Sequence, residues 1–218
     1  MDIEYTLIKF KNIDLKPRDA TKLRGFFSNK YIDQEIVHNH NGDKYIYNYP
    51  KVQYKSIKKQ PIVCGIGEGA NIALKMSFET DKLIIGNREL SAMQKSMVKE
   101  QRELGIISDY KEYKFFTPWL ALNQKNIAQY NTANSIERES MLKRILIGNI
   151  LSMSKGLGYT VTSEIYAWIN LEERIIKFKG MEMKSFIGTF KTNFLIPDYL
   201  GLGKSVSRGF GTIISKER

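Results

Sequence analysis

The first half of the chain alternates between short apolar, β-branched runs and amphipathic segments. Residues 3–10 are rich in apolar and β-branched side chains, which predicts a strand. Ala20, Leu23 and Phe27 recur at helical spacing after Lys16-Pro17, which predicts a helix that begins near residue 20. Further strands are predicted over 52–56, 62–64 and 82–85, and a second helix over 70–78.

Residues 35–47 are predicted to form a β-hairpin. Asn41-Gly42 is a strong hairpin signal, because both central residues of a type I′ turn need positive φ. His38 and His40 then lie two positions apart on the first strand, so their side chains share one face of it. The hairpin would place two proton-transfer groups side by side.

The second half repeats this layout with different residues. Asn134 with Glu137 three positions later is a capping-box signal for a long amphipathic helix that ends near Gly156. Residues 87–108 fit neither the helical nor the strand period, and they are taken as the boundary region. Strands are predicted over 113–117, 165–169, 175–179 and 183–193, and a last one from Gly211.

Each half therefore carries a strand, a helix, several strands and a final strand. This order is typical of a split β-α-β unit. We predict an α+β protein made of two tandem ferredoxin-like domains, the first over 1–108 with the histidine hairpin and the second over 109–218.

Charge narrows the class of partner. The 218 residues include 34 Lys and Arg against 23 Asp and Glu, a formal charge of +11, while 42% hydrophobic residues indicate a packed core. Such an excess of positive charge favours nucleic acid as the partner over an anionic membrane surface. No apolar run is long enough to span a bilayer, and the acidic start lacks a signal-peptide pattern, so we expect a cytoplasmic protein.

A glycine-rich segment near the end of the chain is the most unusual stretch. It fails as a phosphate-binding Walker loop because Asp198 stands where a glycine is needed, and as a dinucleotide fingerprint because Val206 stands at the third position. Two interpretations remain. The segment could be a backbone cradle that binds an anion, with charge from Lys204 and Arg208, or a flexible hairpin whose cations are solvated. The residues of the cradle are Gly201, Gly203, Lys204, Ser205, Ser207, Arg208, Gly209 and Gly211.

A second glycine cluster leaves a nucleotide-binding alternative open. Gly65-Ile66-Gly67-Glu68-Gly69-Ala70 matches a dinucleotide fingerprint and lies between an apolar run and a helix. Glu68 would place a negative charge beside the pyrophosphate, so we interpret the cluster as a turn and helix start. Cys64, the only cysteine, is expected to be a core residue. Trp119 and Trp168 are also expected in the core, with stacking on nucleobases as the alternative.

His38 and His40 are the only histidines in the chain, and their chemistry has three interpretations. They could bind a metal together with a nearby carboxylate, or be purely structural. They could also act as acid and base, because an unperturbed imidazole has a pKa of about 6.5. RNA carries its own nucleophile in the 2′-hydroxyl, so cleavage needs only a base, an acid and cations, without a metal or a cofactor.

The glycine-rich segment and several shorter motifs resemble the CRISPR-associated endoribonucleases that process precursor CRISPR RNA, which are members of the RAMP superfamily. The His-x-His pattern with a later tyrosine is similar to the archaeal-type b subfamily of the sixth Cas family. The other matching motifs are Phe178-Lys179-Gly180, Gly188-Thr189-Phe190, Lys22-Leu23-Arg24-Gly25-Phe26-Phe27, Tyr49-Pro50-Lys51-Val52-Gln53-Tyr54-Lys55, Gly65 to Gly69, and Thr117-Pro118-Trp119-Leu120-Ala121-Leu122-Asn123.

This resemblance implies tandem ferredoxin-like folds and metal-independent cleavage of CRISPR repeat RNA that leaves a 2′,3′-cyclic phosphate and a 5′-hydroxyl. It implies catalysis by His38, His40 and Tyr47, with Lys51 as an alternative to the tyrosine. RNA contacts are implied for the glycine-rich segment together with Arg24 and Lys51. Homodimerisation and partners in a CRISPR effector complex stay open, as does the alternative of a non-catalytic RNA-binding subunit.

Overall fold

A computed structural model describes residues 1–32, 34–38, 40–41, 44–45, 48–178 and 180–216. Within the short segments, the side chains of residues 35, 38, 40, 41, 44 and 45 lie outside this description. The chain divides into two compact units, Met1–Glu103 with Val206–Gly209, and Leu104–Ser205 with Phe210–Arg218. The predicted boundary at 108/109 falls inside a strand that begins at Gly105.

The first unit carries three helices and eight strands in its described part. The elements are β1 (Asp2–Phe10), α1 (Ala20–Lys30), α2 (Glu35–His38), β2 (His40–Asn41), β3 (Lys44–Tyr45), β4 (Val52–Ile57), β5 (Gln60–Ile66), α3 (Glu68–Phe78), β6 (Lys82–Ile85), β7 (Arg88–Ser91) and β8 (Lys95–Glu103). The main sheet is antiparallel throughout, in the order β4-β5-β1-β8, which is the order of a ferredoxin-like fold.

Strand alternation gives this sheet an apolar face for the two long helices. Ile8 of β1 and Tyr54 of β4 point into the same buried cluster as Leu23 and Phe27 of α1 and Met76 of α3. Side chains at helical spacing on α1 therefore pack onto every second residue of the strands, as the apolar pattern predicted.

Residues 87–108, which have no clear period, contain β7, β8 and the start of the next strand. Most side chains of β8 are exposed and polar, so this strand has no apolar alternation to reveal it. It forms because its backbone pairs with β1 along nine residues, from Asp2 opposite Glu103 to Phe10 opposite Lys95. Backbone pairing with a distant segment thus makes β8 a strand, although the local pattern of apolar and polar residues does not predict one.

The second unit has a similar sheet with fewer helices. Its elements are β9 (Gly105–Trp119), α4 (Ile127–Thr132), α5 (Ser135–Gly156), β10 (Ala167–Phe178), β11 (Met181–Leu195) and β12 (Ile213–Ser215), and the sheet order is β10-β11-β9-β12. The order again matches a ferredoxin-like fold, which confirms the predicted α+β class with two such domains. The glycine-rich segment occupies the place of the second helix, between β11 and β12.

The long helix α5 begins where the capping-box signal predicts. Asn134 Oδ1 accepts from the backbone N of Glu137 at 3.0 Å, and Glu137 Oε2 accepts from the backbone N of Asn134 at 2.9 Å. Two of the helix's otherwise unsatisfied amide groups are thereby bonded. The predicted strands over 165–169 and 175–179 are instead one continuous strand, β10, because it pairs with β11 without a break.

None of the helices in the described ranges is long and apolar enough to cross a membrane.

Candidate functional site

The histidine segment differs from the predicted hairpin. Residues 35–38 form α2 rather than a strand, so His38 ends a helix and His40 begins β2. His40 pairs with Tyr45 and Asn41 pairs with Lys44, a register that differs from the predicted pairing of His40 with position 43 and of His38 with Tyr45. The two histidines therefore do not share one strand face, and the register that placed them side by side is wrong. Tyr47 also lies outside the described residues.

The core of the first unit explains why this segment turns helical. Val37 is 2% exposed and belongs to the buried cluster that contains Phe27 of α1. The backbone N of Val37 donates to Gln34 O at 2.9 Å, and the N of Gln34 donates to Tyr31 O at 3.0 Å. Burial of Val37 thus favours a helix over residues 35–38 in place of the predicted strand, and it anchors this part of the backbone next to α1.

The glycine-rich segment is a packed loop and not a flexible hairpin. The backbone N of Leu202 donates to Gly211 O at 2.9 Å, and the N of Gly211 donates to Pro118 O at 2.9 Å. Gly211 has a φ of +62°, and a Cβ there would lie 1.9 Å from the oxygen of Leu202. Close backbone approach within the second unit therefore requires this glycine.

Lys204 and Arg208 have different environments within the loop. The ammonium of Lys204 donates to Leu122 O at 2.6 Å, and burial lowers the pKa of this lysine. Arg208 lies in a short 3₁₀ turn, Val206–Arg208, that packs against α1 and β4 in the first unit. One cation of the loop is thus bonded to the carbonyl of Leu122, outside the loop, and the other lies beside α1.

Arg208 lies close to Arg24 of α1. The pKa of Arg24 is lowered mainly by burial and, to a smaller extent, by the neighbouring positive charge of Arg208. Both guanidinium groups are half-buried, and Arg208 forms no ion pair or hydrogen bond with the residues that the structure describes. Two like charges at a half-buried position repel each other and favour an anion between or beside them.

Two hydroxyl groups that were not among the predicted site residues belong to the same region. The hydroxyl of Tyr54 is buried beside Arg24, and its pKa is raised well above the ordinary value by burial. Ser28 follows Arg24 by one helical turn, and its Oγ is also buried. Neither hydroxyl has a hydrogen-bond partner among the described residues, which costs about 1–3 kcal/mol each. The spacing of Arg24 and Ser28 on a helix is the signal that could have found this cluster.

A separate basic groove in the first unit shows the contrasting arrangement. It has a volume of about 390 Å³ and is lined by Lys16, Arg18, Lys22, Lys59 and Arg88 together with Asp14 and Asp19. Asp19 lies 3.1 Å from the ammonium of Lys22 and 3.9 Å from the guanidinium of Arg88. The groove supplies its own counter-charges, whereas no described acidic side chain pairs with Arg208.

The second glycine cluster is a turn and helix start, as predicted. Gly67 precedes α3, and a Cβ on Gly69 would lie 2.1 Å from the carbonyl oxygen of Lys51. Close packing of β4 against α3 therefore accounts for this glycine without a nucleotide. Lys51 itself pairs with Glu68 at 2.7 Å, so its charge is partly compensated.

The remaining single residues follow their predictions except one. Cys64 is fully buried, and burial raises its pKa to about 11, which suits a core residue. Trp119 is also fully buried, stacked on Phe115 with its indole N–H donating to Asn149 at 3.0 Å. Trp168 is 46% exposed, so its prediction as a core residue is wrong. Side chains along β10 alternate between the two faces of the sheet, and Trp168 lies on the more exposed face.

Two crystal structures resemble the whole chain. A structure described as "Crystal structure of Cas6b" is 47% identical, covers 99% of this chain and 100% of its own, and superposes with a TM-score of 0.95. Another, described as "Crystal structure of CRISPR RNA processing endoribonuclease Cas6b", is 42% identical over 99% of this chain and 100% of its own, with a TM-score of 0.80. A RAMP protein that binds different RNA substrates shares only the fold, at 12% identity and a TM-score of 0.58.

Sequence comparison extends the similarity. An uncharacterised protein of Methanocaldococcus jannaschii is 44% identical over 116 residues, which is 53% of this chain and 79% of the relative. The model of the Cas6b N-terminal domain matches residues 1–103, and the model of the Cas6b C-terminal domain matches residues 105–216. Since the two matches together span nearly the whole chain, this protein belongs to the Cas6b family.

Proposed function

We propose that this protein is an endoribonuclease that cuts CRISPR repeat RNA without a metal ion. The 2′-hydroxyl upstream of the scissile phosphate is the nucleophile, and the products carry a 2′,3′-cyclic phosphate and a 5′-hydroxyl. Membership of the Cas6b family supports RNA processing, because one related structure is described as a CRISPR RNA processing endoribonuclease. The formal charge of +11 suits a polyanionic substrate.

The observation that carries the proposal is the pair Arg24 and Arg208, with Arg24 on α1, the helix that contacts α2. Arg24 and Phe27 lie one turn apart on α1, and Phe27 shares its buried cluster with Val37, the residue before His38. One helix therefore supports both the half-buried cations and the backbone of the candidate catalytic residues. Guanidinium groups bind phosphate oxygens bidentately, so the pair is suited to hold an RNA phosphate.

The reaction needs two proton transfers and one displacement at phosphorus. One imidazole of His38 and His40 takes the proton of the 2′-hydroxyl as the new bond from O2′ to phosphorus forms. The other gives a proton to O5′ as the bond from phosphorus to O5′ breaks. Tyr47, or Lys51 in its place, would assist at the phosphate, and the arginine pair would stabilise the extra negative charge of the phosphorane.

The glycine-rich loop and Lys51 have supporting roles in this proposal. Backbone N–H groups of the loop and the hydroxyls of Ser205 and Ser207 would contact the RNA backbone. We assign Lys204 a smaller share of phosphate binding than Arg208, because its ammonium already donates to a carbonyl. The contacts to phosphate position the RNA, while base contacts determine which sequence is cut.

Cleavage of repeat RNA in the presence of EDTA tests the function. Single-turnover reactions with excess protein should produce cleavage at one site within a CRISPR repeat, at the same rate with and without the chelator. The upstream product should resist phosphatase and the downstream product should accept a phosphate from a polynucleotide kinase directly. Loss of cleavage in EDTA would indicate a metal-activated water instead. Tight binding without cleavage would indicate a non-catalytic RNA-binding subunit.

Replacement of Arg208 by glutamine should weaken RNA binding without weakening the fold. Loss of one phosphate contact to single-stranded RNA makes the negative slope of log binding constant against log salt concentration shallower by about 0.7. The free energy of unfolding without RNA should not fall, because the substitution removes a repulsion between two guanidinium groups.

The matched control for this variant is Lys204→Gln, which removes a cation from the same loop. It should change the salt slope less than Arg208→Gln, since the ammonium of Lys204 is bound to Leu122 O. Salt titrations of binding and chemical denaturation of both variants make the comparison. An unchanged slope for Arg208→Gln would remove this residue from the RNA surface.

A further inference from the structure

Three exposed aromatic side chains lie together on the outer face of the second unit's sheet. Tyr110 of β9, Tyr166 just before β10 and Trp168 of β10 are 38%, 45% and 46% exposed. The ring centroids of Tyr110 and Trp168 are 4.8 Å apart with the rings perpendicular, and those of Tyr166 and Trp168 are 6.5 Å apart. We call these three residues the aromatic platform.

The strand register shows that the aromatic platform belongs to the solvent side of the sheet. Trp168 pairs with Lys191 of β11, and Lys191 pairs with Glu112 of β9, so these three lie in one row across the strands. The neighbouring positions Tyr113 and Phe190 point the other way and are buried. The row of Trp168, Lys191 and Glu112 therefore lies on the opposite face of the sheet from the buried aromatic residues.

One lysine of this face lies beside the aromatic platform. The ammonium of Lys191 lies 5.4 Å from the centre of the Tyr110 ring. Glu112 in the same row is neutralised by Lys216 at 2.9 Å, and Glu164 at one end accepts a hydrogen bond from the Tyr166 hydroxyl at 3.0 Å. A cation therefore lies in the middle of the row, over the ring of Tyr110 and opposite Trp168 on the neighbouring strand.

We propose that the aromatic platform stacks unpaired nucleobases of single-stranded RNA, with Lys191 at the adjoining phosphate. Exposed aromatic rings on an antiparallel sheet bind bases through their π-faces, and a neighbouring lysine binds the backbone charge. The inference rests on the proposed RNA substrate and adds a base-stacking surface to it. Its occupant is a flexible strand, because bases in a duplex are already stacked and cannot present their faces.

Tryptophan fluorescence makes this contact directly measurable. The chain has two tryptophans, and Trp119 is fully buried while Trp168 is exposed. A short oligouridylate should quench the emission of Trp168 as it binds, and an abasic strand with the same number of phosphates should quench it far less. Trp119→Phe should retain the quenching, and Trp168→Leu should abolish it.

Binding measurements give the expected magnitude. Trp168→Leu should weaken binding of the oligouridylate about tenfold, the effect of losing one stacked base, with an unchanged salt slope. Lys191→Gln should instead make the negative slope of log binding constant against log salt concentration shallower by about 0.7. Ile175→Ala, which shortens another exposed apolar side chain of β10, is the matched control and should bind normally.

The outcomes separate this inference from the proposed function. If the wild type cuts repeat RNA but Trp168→Leu binds the oligouridylate as tightly, the aromatic platform does not stack bases and only the inference fails. If the wild type neither binds nor cuts any RNA, both fail. A Trp168→Leu variant that binds RNA normally but changes the sedimentation of the protein from dimer to monomer would show that the platform contacts a second copy of the chain.

Discussion

A repeat RNA with 2′-deoxyribose immediately upstream of the scissile phosphate is expected to bind normally and to remain uncut. The proposed nucleophile is the hydroxyl that this substitution removes, so no other base or acid in the protein can replace it. The phosphates and bases are unchanged, and the contacts of Arg208 and of the aromatic platform should therefore persist. Binding is measured by titration, and cleavage by single-turnover gel assay.

The control for the deoxy RNA is the same repeat with one deoxyribose placed several nucleotides away. That RNA should be cut at the wild-type rate, because its scissile phosphate keeps the adjacent 2′-hydroxyl. Cleavage of the first deoxy RNA at the usual bond would contradict the mechanism and indicate attack by water.

His38→Ala and His40→Ala are each expected to lower the single-turnover cleavage rate by about 10² to 10⁴, the usual effect of losing one general acid or base. RNA affinity should change little, because neither imidazole is required to neutralise a phosphate. If the two residues act in the same step, the double variant should lose much less than the product of the single effects.

Gln34→Ala is the matched control for the histidine variants. Gln34 is exposed and lies at the start of the same segment, just before α2. It should cut RNA at the wild-type rate. If both histidine variants also cut at that rate, the segment is not the catalytic site, and the arginine pair would serve RNA binding alone.

Local signals account for the parts of the fold that were predicted. Asn134 and Glu137 are three residues apart, and their capping bonds form within one helical turn. The apolar spacing of α1 likewise needs no distant partner to be recognised. Elements whose sequence signals lie within a few residues of one another can therefore be predicted from the sequence.

Elements that depend on distant partners were not predicted. β8 is mostly exposed and polar, and it becomes a strand only by pairing with β1. Antiparallel pairing does occur next to Asn41-Gly42, but the first strand is shorter than predicted, because Val37 is buried in a cluster with Phe27 and residues 35–38 form a helix. Trp168 was expected in the core from its size, yet its strand position turns it to solvent.

The sequence by itself determined the excess of positive charge, the presence of two βαββ-like halves and the glycine-rich loop. It could not determine which cations are available to a ligand. Lys51 is compensated by Glu68, and Lys204 by a carbonyl, whereas Arg208 is brought close to Arg24, from the opposite end of the chain, with no acidic partner among the described residues. Only the tertiary structure decided this, because the electrostatic state of a side chain depends on neighbours in space, and most of these neighbours are far apart in sequence.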